Sequence, residues 1–203
     1  MKDNGYRIYD ISQEVYHCAV FPGDPKPECR VLNTMESGDL YNLTAFSMCS
    51  HNGTHIDAPR HFLRDGATVD QIPLCKTVGL CYVTEHSGEF GADDARKTLE
   101  RAASVCSAAA KKILIKGDAY VSETAAAVFA EAGVDLVGNE SQTVGPENAP
   151  MQVHLILLGA EVVLLEGIRL GEVPEGVYWL HAAPLCLGGA EGAPCRATLT
   201  TII

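Results

Sequence analysis

Two mostly apolar segments in the middle of the chain predict β-strands. Ile-Leu-Ile at residues 113–115 predicts a buried strand, and residues 134–137 predict a second extended segment. Between them, Ser122 has a side chain typical of a helix N-cap, helix-forming residues continue to about Ala132, and Gly133 is suited to ending the helix. The order strand, helix, strand predicts a βαβ unit.

A second helix is predicted just before this unit. Residues 93–110 are polar on one side of a helical projection and carry Leu99, Ala103 and Cys106 on the other side. Charged residues in the first turns are typical of a surface helix. We therefore expect this helix to cover one face of a sheet.

The most apolar stretch of the chain, residues 153–165, predicts the end of a short helix followed by a strand. Pro150 is favourable at the first position of a helix that would end near Gly159, and residues 162–165 would form a buried strand leading to Glu166. Polar residues and glycine interrupt the stretch, which is also shorter than the roughly 20 residues of a membrane-spanning helix. We expect it to belong to a core rather than to a membrane.

The two ends of the chain have the patterns of strands, turns and loops. Residues 21–25 (FPGDP) predict a rigid turn, and residues 41–48, 177–183 and 196–203 have extended patterns. The chain has no internal repeat and no linker-like segment. Its pattern predicts an α/β fold, built as a single β-rich domain over residues 1–203.

Composition and charge narrow the class of protein. The chain has 203 residues, 47% of them hydrophobic and 20% charged, as expected for a globular chain with one sizeable core. Its formal net charge of −11 leaves no basic field for a phosphate backbone, so nucleic acid is not an expected partner. Acidic residues and prolines interrupt the N-terminal region, which argues against a signal peptide and favours a cytoplasmic protein.

Eight cysteines are scattered along the chain, and no two of them have the two-residue spacing of a zinc knuckle or a redox motif. A disulfide framework is therefore not expected. In a protein that is not exported, thiols usually stay reduced and pack as small buried hydrophobic side chains. The cysteines are accordingly assigned no chemical role.

Three of the seven histidines and one aspartate fall within eleven residues, at His51, His55, Asp57 and His61. A helix would place His51 and His55 on one face but would point Asp57 elsewhere, and Gly53 is poor helix material. In a fully extended chain, His51 and His55 would be roughly 13 Å apart, too far for one ion. A bend at Gly53, which can adopt a positive φ, would bring both imidazoles and the Asp57 carboxylate together.

Two imidazoles and one carboxylate are a typical ligand set for Zn²⁺ or another divalent first-row metal. Three protein ligands leave an open position for water, which is the mark of a catalytic rather than a structural site. The alternative is a polar loop whose histidines are paired with other protein groups. The spacing favours a metal site, and hydrolysis is the natural use of such a site.

The same segment resembles a known family signature. The sequence HNGTHIDAPRHF (residues 51–62) is similar to the His-x-Gly-Thr-His-x-Asp-x-Pro-x-His-Phe motif of the putative cyclase family, which includes bacterial kynurenine formamidases and isatin hydrolases. The resemblance implies the swivelling β/β/α fold of that family, a small-molecule substrate, and assembly as a homodimer or homotetramer. Shorter matches extend it over nearly the whole chain: DIS (10–12), PGD (22–24), LEGI (165–168), AAPL (182–185) and GAPCRA (192–197).

The resemblance also implies a set of ligands for one or two ions of Zn or Mn per chain. The first ion would be bound by His51, His55 and Asp57. The second would share Asp57 and add His154 and Glu166, which have the twelve-residue separation of the family's further ligands. Without the resemblance, His154 would be interpreted as a core histidine and Glu166 as a solvated carboxylate at a strand end.

His61 resembles the catalytic histidine of the family, which would take a proton from the attacking water and deliver it to the leaving nitrogen. The alternative is a structural role for His61 beside a metal ligand. Phe21 stands where the formamidases have a tryptophan before Pro-Gly-Asp, and it can offer an aromatic face to a substrate or wedge the proline turn. Residues 138–143 (GNESQT) also depart from the family's Gly-Ile-Asp-Thr-Pro-Ser.

Taken with the resemblance, these residues predict a metal-dependent hydrolase of a small amide, formamide, or cyclic amide or ester, similar to kynurenine formamidase. Water would attack the substrate, and a histidine would serve as general acid and base. Two alternatives come from other classes. One is a non-catalytic metal-binding protein on the same fold, and the other is a non-haem Fe(II) oxygenase that uses two histidines and one carboxylate.

Overall fold

A nine-stranded mixed sheet runs through the computed structural model, which describes residues 5–201. The four central strands are parallel, and the strands on either side of them pair antiparallel. From one edge to the other the strands are β1 (Ile8–Asp10), β13 (Thr198–Thr201), β11 (Gly176–His181), β5 (Val78–Glu85), β7 (Lys112–Lys116), β9 (Leu136–Asn139), β10 (Val163–Glu166), β4 (His55–Asp57) and β12 (Gly192–Pro194).

The predicted closing strands at residues 177–183 and 196–203 are present as β11 and β13. Residues 202 and 203 lie outside the described residues. The predicted strand at residues 162–165 is β10, which begins one residue later.

Three α-helices lie between the strands: α1 (Ala92–Val105), α2 (Glu123–Glu131) and α3 (Met151–Gly159). Helix α2 leads from β7 to the adjacent parallel strand β9, which confirms the predicted βαβ unit. Ser122 caps α2 by accepting a hydrogen bond from the Ala125 amide. Pro150 is the N-cap of α3, one position earlier than predicted. No helix among residues 5–201 is long and apolar enough to cross a bilayer.

Helix α1 is shorter than the segment predicted at residues 93–110. It ends at Val105 because Cys106 takes an extended backbone conformation, and a separate 3-10 turn follows at Ala109–Lys111. Ala103, predicted on the buried face, is exposed. Alanine adds little to an amphipathic pattern, so the buried face of this alanine-rich helix is poorly defined by sequence. The buried positions are Ala95, Thr98 and Ala102.

Both faces of the large sheet are buried, against two separate cores. Along β5, Tyr82 packs in the helix-covered core, while Cys81 and Val83 belong to the core on the opposite face. This second core also receives Ile56 from β4 and Leu199 from β13, which lie toward the two ends of the sheet. The sheet therefore curls around the second core.

Two small two-stranded sheets accompany the large one. They are the antiparallel hairpin of β2 (Glu28–Asn33) and β3 (Leu43–Ser47), and the parallel pair of β6 (Gly88–Phe90) and β8 (Ala119–Val121). Strand β3 confirms most of the extended segment predicted at residues 41–48. Residues along the β2–β3 hairpin are largely exposed on both faces, and Leu40 near its tip is 94% exposed. Before the hairpin, the Asp24 amide donates to the Phe21 carbonyl in the predicted proline turn.

All eight cysteines are free thiols, as expected. The expectation that they pack as buried hydrophobic side chains is wrong for three of them and is met in part by Cys106 and Cys195, which are partly buried against the cores. Cys81 is buried in the sheet, whereas Cys29, Cys75 and Cys186 are exposed because they lie in the hairpin and in surface turns.

Candidate functional site

Strand β4 carries two of the predicted metal ligands, His55 and Asp57, on one face of the sheet. Their side chains lie on the helix-covered face, since Ile56 between them packs into the opposite core. β4 lies between β10 and β12, and its register places His55 opposite Glu166 and Asp57 opposite Gly192. Strand pairing therefore brings together residues that are distant in the sequence.

A bend in the chain before β4 places His51 next to His55 and Asp57. Gly53 has a φ of 65°, the positive value predicted for it. His51 Nδ1 lies 2.7 Å from Asp57 Oδ1, and the His51 and His55 ring centroids are 5.1 Å apart. A Cβ at position 53 would come within 2.8 Å of Cys18 Cβ, so the bend leaves no room for a side chain. The predicted bend is confirmed.

Helix α3 and strand β10 add His154 and Glu166. His154 Nε2 lies 3.2 Å from Glu166 Oε1 and 3.6 Å from Asp57 Oδ2. Glu166 is buried and also accepts a hydrogen bond from the Val144 amide at 2.8 Å. The interpretation of Glu166 as a solvated carboxylate is therefore wrong.

Backbone carbonyls orient two of the imidazole rings. His154 Nδ1 donates to the Pro150 carbonyl at 2.9 Å, and His55 Nδ1 donates to the Gly53 carbonyl at 3.0 Å. Because Nδ1 carries the proton in both bonds, Nε2 of each ring faces the buried carboxylates. Metal-binding histidines typically have this arrangement, in which the second ring nitrogen is held by a protein acceptor.

His61 lies at the end of a 3-10 turn, Pro59–His61, that follows β4. Its ring centroid is 4.0 Å from that of His51, and its Nε2 is 3.9 Å from Asp57 Oδ2. The His61 side chain is 28% exposed, whereas that of Asp57 is 1% exposed. His61 therefore belongs to the cluster but lies on its solvent side.

The buried carboxylates and imidazoles determine one another's charge. Burial disfavours the charged forms of His55 and His154, yet the Asp57 and Glu166 carboxylates outweigh burial and raise the pKa of each imidazole to about 10. Burial also opposes ionisation of the carboxylates, but the imidazoles hold the pKa of Asp57 well below its usual value and lower the pKa of Glu166. In the metal-free cluster the two carboxylates therefore favour the imidazolium forms of His55 and His154.

The pKa values of His51 and His61 are shifted in opposite directions. For His51, burial favours the neutral form, but the hydrogen bond with Asp57 outweighs it and raises the pKa. For His61, burial lowers the pKa, and the attraction of the Asp57 carboxylate does not overcome it. His61 is therefore neutral at pH 7 and able to accept a proton.

The donor atoms of the cluster fit a divalent metal. His55 Nε2 and Asp57 Oδ2 are buried and have no hydrogen-bond partner among the described residues. The distances from the Nε2 atoms of His55 and His154 to the Asp57 and Glu166 oxygens are 3.2 to 3.6 Å. Neighbouring ligands of a tetrahedral zinc ion, with bonds near 2.0 Å, are separated by roughly 3.3 Å. The cluster therefore has the spacing of a ligand shell.

The cluster contains two overlapping sets of three donor atoms, and the atoms within each set lie within 4.8 Å of one another. One set joins His55, Asp57 and Glu166, and the other joins His51, Asp57 and His61. His61 was predicted as a proton-transfer residue, so its place in the second set makes direct metal binding the alternative role.

A cavity of about 270 Å³ opens onto the cluster. Phe21 lines it, and the predicted contact residue therefore lies beside the candidate site. Phe62 lines it too and packs on His154, with ring centroids 4.8 Å apart. A larger cavity of about 550 Å³ is lined by residues 52–54 but by none of the four clustered histidines, so the chemistry points to the smaller one.

Comparison with known proteins agrees with this geometry. The family model described as "Putative cyclase" matches residues 9–146. The chain belongs to the putative cyclase family. It is 34% identical over 208 residues to a kynurenine formamidase of Salinibacter ruber (strain DSM 13855 / M31), with 95% of this chain and 96% of the relative covered.

Solved structures share the fold of this cyclase-family chain. One, described as a potential metal-dependent hydrolase with cyclase activity, has a TM-score of 0.78 and 28% identity, and the match covers 98% of this chain and 99% of that one. Isatin hydrolase A from Labrenzia aggregata has a TM-score of 0.81 at 19% identity, with 98% and 95% covered. The predicted α/β, cyclase-like fold is therefore confirmed.

Two residues beside the cluster of this cyclase-family chain were not predicted. Glu191 accepts a hydrogen bond from Ser50 Oγ and lies 3.3 Å from His51 Nε2. Gln142 Nε2 donates to the Gly53 carbonyl at 2.8 Å. Both residues lie far along the chain from residues 51–62, so no local spacing connects them with the histidines. The departure from the family pattern at residues 138–143 was the one sequence signal that covered Gln142.

Proposed function

We propose that this chain is a metal-dependent hydrolase that cleaves the C–N bond of a small formamide, amide or cyclic amide. One observation carries the proposal, namely the convergence of two buried carboxylates and four imidazoles beside a cavity. The kynurenine formamidase and the metal-dependent hydrolase described above are similar over nearly the whole chain, which supports it. The converging residues are His51, His55, Asp57, His61, His154 and Glu166.

The proposal assigns His51, His55 and Asp57 to a first divalent ion, and Asp57, His154 and Glu166 to a second. Asp57 suits the bridging role because its two oxygens face different imidazoles. Its Oδ1 lies 3.3 Å from His55 Nε2, and its Oδ2 lies 3.6 Å from His154 Nε2. Imidazole and carboxylate donors suit Zn²⁺ and Mn²⁺, and we propose one or two such ions per chain.

His61 is the proposed general acid and base. A divalent ion, when bound, lowers the pKa of water and polarises the scissile carbonyl. His61 accepts the proton of the attacking water at Nε2 and then donates it to the leaving nitrogen. Its lowered pKa leaves the imidazole neutral at pH 7, as a base must be. The His51 ring on one side and the edge-on Phe62 ring, 4.6 Å away, hold the imidazole in place.

Phe21 is the proposed substrate-contact residue. It lines the cavity together with His51 and His61, where an aromatic face can stack on a flat substrate. The cavity volume of about 270 Å³ is small for a ligand site, which favours a substrate the size of a single substituted ring. The substrate class proposed is therefore a small aromatic formamide or cyclic amide.

The proposed assembly is a homodimer or homotetramer of single-domain chains in the cytoplasm. The β2–β3 hairpin supports assembly because it exposes Leu32, Met35 and Leu43, and an isolated two-stranded hairpin is marginally stable in water. A second copy of the chain packed on the hairpin would bury these side chains. The eight free thiols agree with a reducing compartment. Light scattering of the purified protein measures the oligomeric state.

A hydrolysis screen on protein of known metal content tests the function. The screen covers N-formyl aryl amines, cyclic imides and lactams, with Asp57→Asn as the inactive control. Turnover by the Zn- or Mn-loaded protein, seen as aryl amine and formate from a formamide or as the ring-opened acid from a cyclic imide or lactam, supports the proposal. Metal binding without turnover supports a non-catalytic metal-binding protein. Oxygen consumption with Fe(II) would indicate an oxygenase, although the second carboxylate, Glu166, is foreign to a site of two histidines and one carboxylate.

A further inference from the structure

Two side chains of the cavity wall, Gln142 and Thr143, are not used in the metal site or in proton transfer. Thr143 is 2% exposed, and its Oγ1 has no hydrogen-bond partner among the described residues. Gln142 Oε1 is likewise buried and unpartnered. Both residues line the cavity that opens onto the histidine cluster.

The orientation of the Gln142 amide is determined by its neighbour. The Gly53 carbonyl can only accept hydrogen bonds, so the group that lies 2.8 Å from it must be Nε2. The same carbonyl accepts from His55 Nδ1, which anchors it within the site. Gly167 makes this packing possible, because a Cβ there would come within 2.2 Å of Gln142 Nε2. Gln142 Oε1 is therefore held as an acceptor without a donor.

Buried polar groups without a partner are rare in folded proteins and usually have a functional explanation. In this chain, two other unpartnered atoms are His55 Nε2 and Asp57 Oδ2, which face the proposed metal position. Gln142 Oε1 and Thr143 Oγ1 belong to residues of the same cavity wall. Because both residues line the cavity, a ligand bound there is the source of partners that we consider for these two atoms. An amide oxygen only accepts hydrogen bonds, so the partner of Gln142 Oε1 must be a donor.

We propose that Gln142 Oε1 accepts a hydrogen bond from the N–H of the substrate amide, and that the Thr143 hydroxyl binds a second polar atom of the same substrate. The pocket then selects amides that carry an N–H over N-alkylated amides and esters. The inference rests on the proposed function, since it assumes that the cavity binds the scissile amide. A site built around a substrate N–H discriminates against an analogue that lacks it, because the buried acceptor is left unpaired.

Formanilide and N-methylformanilide are the probes that test Gln142. We expect Gln142→Met to lower kcat/KM for formanilide by about 10- to 100-fold and to change the value for N-methylformanilide much less. Differences in intrinsic reactivity and amide conformation cancel, because each substrate is compared between the same two proteins. An equal loss for both substrates would overturn the proposal and would leave Gln142 as a positioning residue that acts on His55 through the Gly53 carbonyl.

Thr143→Val tests the hydroxyl, and Thr98→Val is its matched control. Thr98 Oγ1 is also buried and unpartnered, but Thr98 lies in α1 and does not line the cavity. We expect neither substitution to lower the Tm of the metal-free protein, and we expect only Thr143→Val to weaken formanilide turnover. A lower Tm for Thr143→Val, or an equal kinetic effect of both variants, would overturn the role of Thr143.

Failure of this inference is distinguishable from failure of the proposed function. A metal-loaded wild-type protein that hydrolyses no compound of the screen, the two probes included, contradicts the proposed function. The inference is then decided by calorimetric binding of the two probes to wild type and Gln142→Met. If wild type binds formanilide at least several-fold more tightly than N-methylformanilide, and Gln142→Met does not, the acceptor role is supported. If wild type shows no such preference, the acceptor role is contradicted.

Discussion

His55 and Glu166 are direct register partners across β4 and β10, and their side chains meet with His55 Nε2 3.4 Å from Glu166 Oε2. The pairing is antiparallel, so both side chains lie on the helix-covered face of the sheet. Sheet register thus determines the distance between two proposed ligands. A ligand pair built on strands keeps its geometry better than one carried by mobile loops.

The first prediction concerns metal content. We expect the purified protein to carry one or two divalent ions per chain, and chelation to abolish hydrolysis of the substrate found in the screen. Added Zn²⁺ or Mn²⁺ should restore activity. The helical circular dichroism should persist after chelation, because both hydrophobic cores are built from residues other than the ligands. Full activity in metal-free protein, or global unfolding on chelation, would contradict a catalytic ion.

The second prediction separates the two proposed ions. Glu166→Gln should reduce occupancy of the second position more than that of the first, because two adjacent cations need anionic ligands and Asp57 alone leaves their repulsion uncompensated. Metal analysis during titration with Zn²⁺ measures the loss. Asp70→Asn is a suitable control, since Asp70 is a surface carboxylate that does not line the cavity. Two ions retained in Glu166→Gln would count against the assignment.

The third prediction concerns His61, which touches Asp57 only at 3.9 Å. His61→Gln should keep its metal content near that of wild type while kcat falls by about 10²- to 10⁴-fold, the usual loss for a general acid-base group. Substrate binding should change less. The pH profile of kcat/KM should also lose or shift the limb that depends on this imidazole.

His55→Gln is the matched comparison for His61→Gln. His55 is buried and its Nε2 faces both carboxylates, so this variant should lose the metal itself, and excess metal should restore part of its occupancy. If His61→Gln lost metal in step with activity, His61 would be a ligand instead, as its place in the second donor set allows.

The fourth prediction concerns Gly192, which lies opposite Asp57 in β12. A Cβ at this position would come within 2.7 Å of His51 Cε1 and 2.8 Å of the Ile56 carbonyl oxygen. Gly192→Ala should therefore destabilise the fold by about 1–3 kcal/mol and weaken metal binding by displacing His51. Denaturant unfolding and metal titration measure the two effects. Gly188→Ala is the control, because a Cβ there meets nothing within 4 Å, and similar losses in both variants would refute the steric explanation.

The fifth prediction concerns the pH dependence of the metal-free protein. The pKa values of His55 and His154 are raised from 6.5 to about 10 in the folded state, so the folded chain binds more protons than the unfolded chain between these values. The stabilising contribution of these two histidines should therefore be fully present at pH 6.5 and should be lost as pH rises through about 10. Thermal melts across this range should show the decline in metal-free protein and a much flatter profile after metal loading. A Tm that rises from pH 7 to pH 10 without metal would contradict the pairing.

The local part of the site was predictable from sequence. The bend at Gly53 follows from the spacing of His51 and His55 and from the need to converge on one ion, and its φ of 65° agrees. The βαβ unit was predictable for a similar reason, since cap, helix and stop residues are neighbours in the chain.

The long-range part of the site could not be predicted from spacing. His154 and Glu166 were suggested by family resemblance alone, because their approach to Asp57 depends on the packing of α3 and the pairing of β10 with β4. Strand β5 was not predicted although it is central in the sheet. It is buried against cores on both faces and lacks the alternation of a half-exposed strand, and Gly79 interrupts the continuous apolar run by which the other buried strands were predicted.

The position of β4 between β10 and β12 also determines when the ligand shell can form during protein synthesis. The ribosome delivers His55 and Asp57 more than a hundred residues before Glu166 and the strand that ends at Pro194. Until those later segments emerge, β4 has neither of its neighbours, although His51, His55 and Asp57 are already present. The ligand set proposed for the second ion, which includes Glu166, can therefore be complete only after β10 has been synthesised and paired with β4.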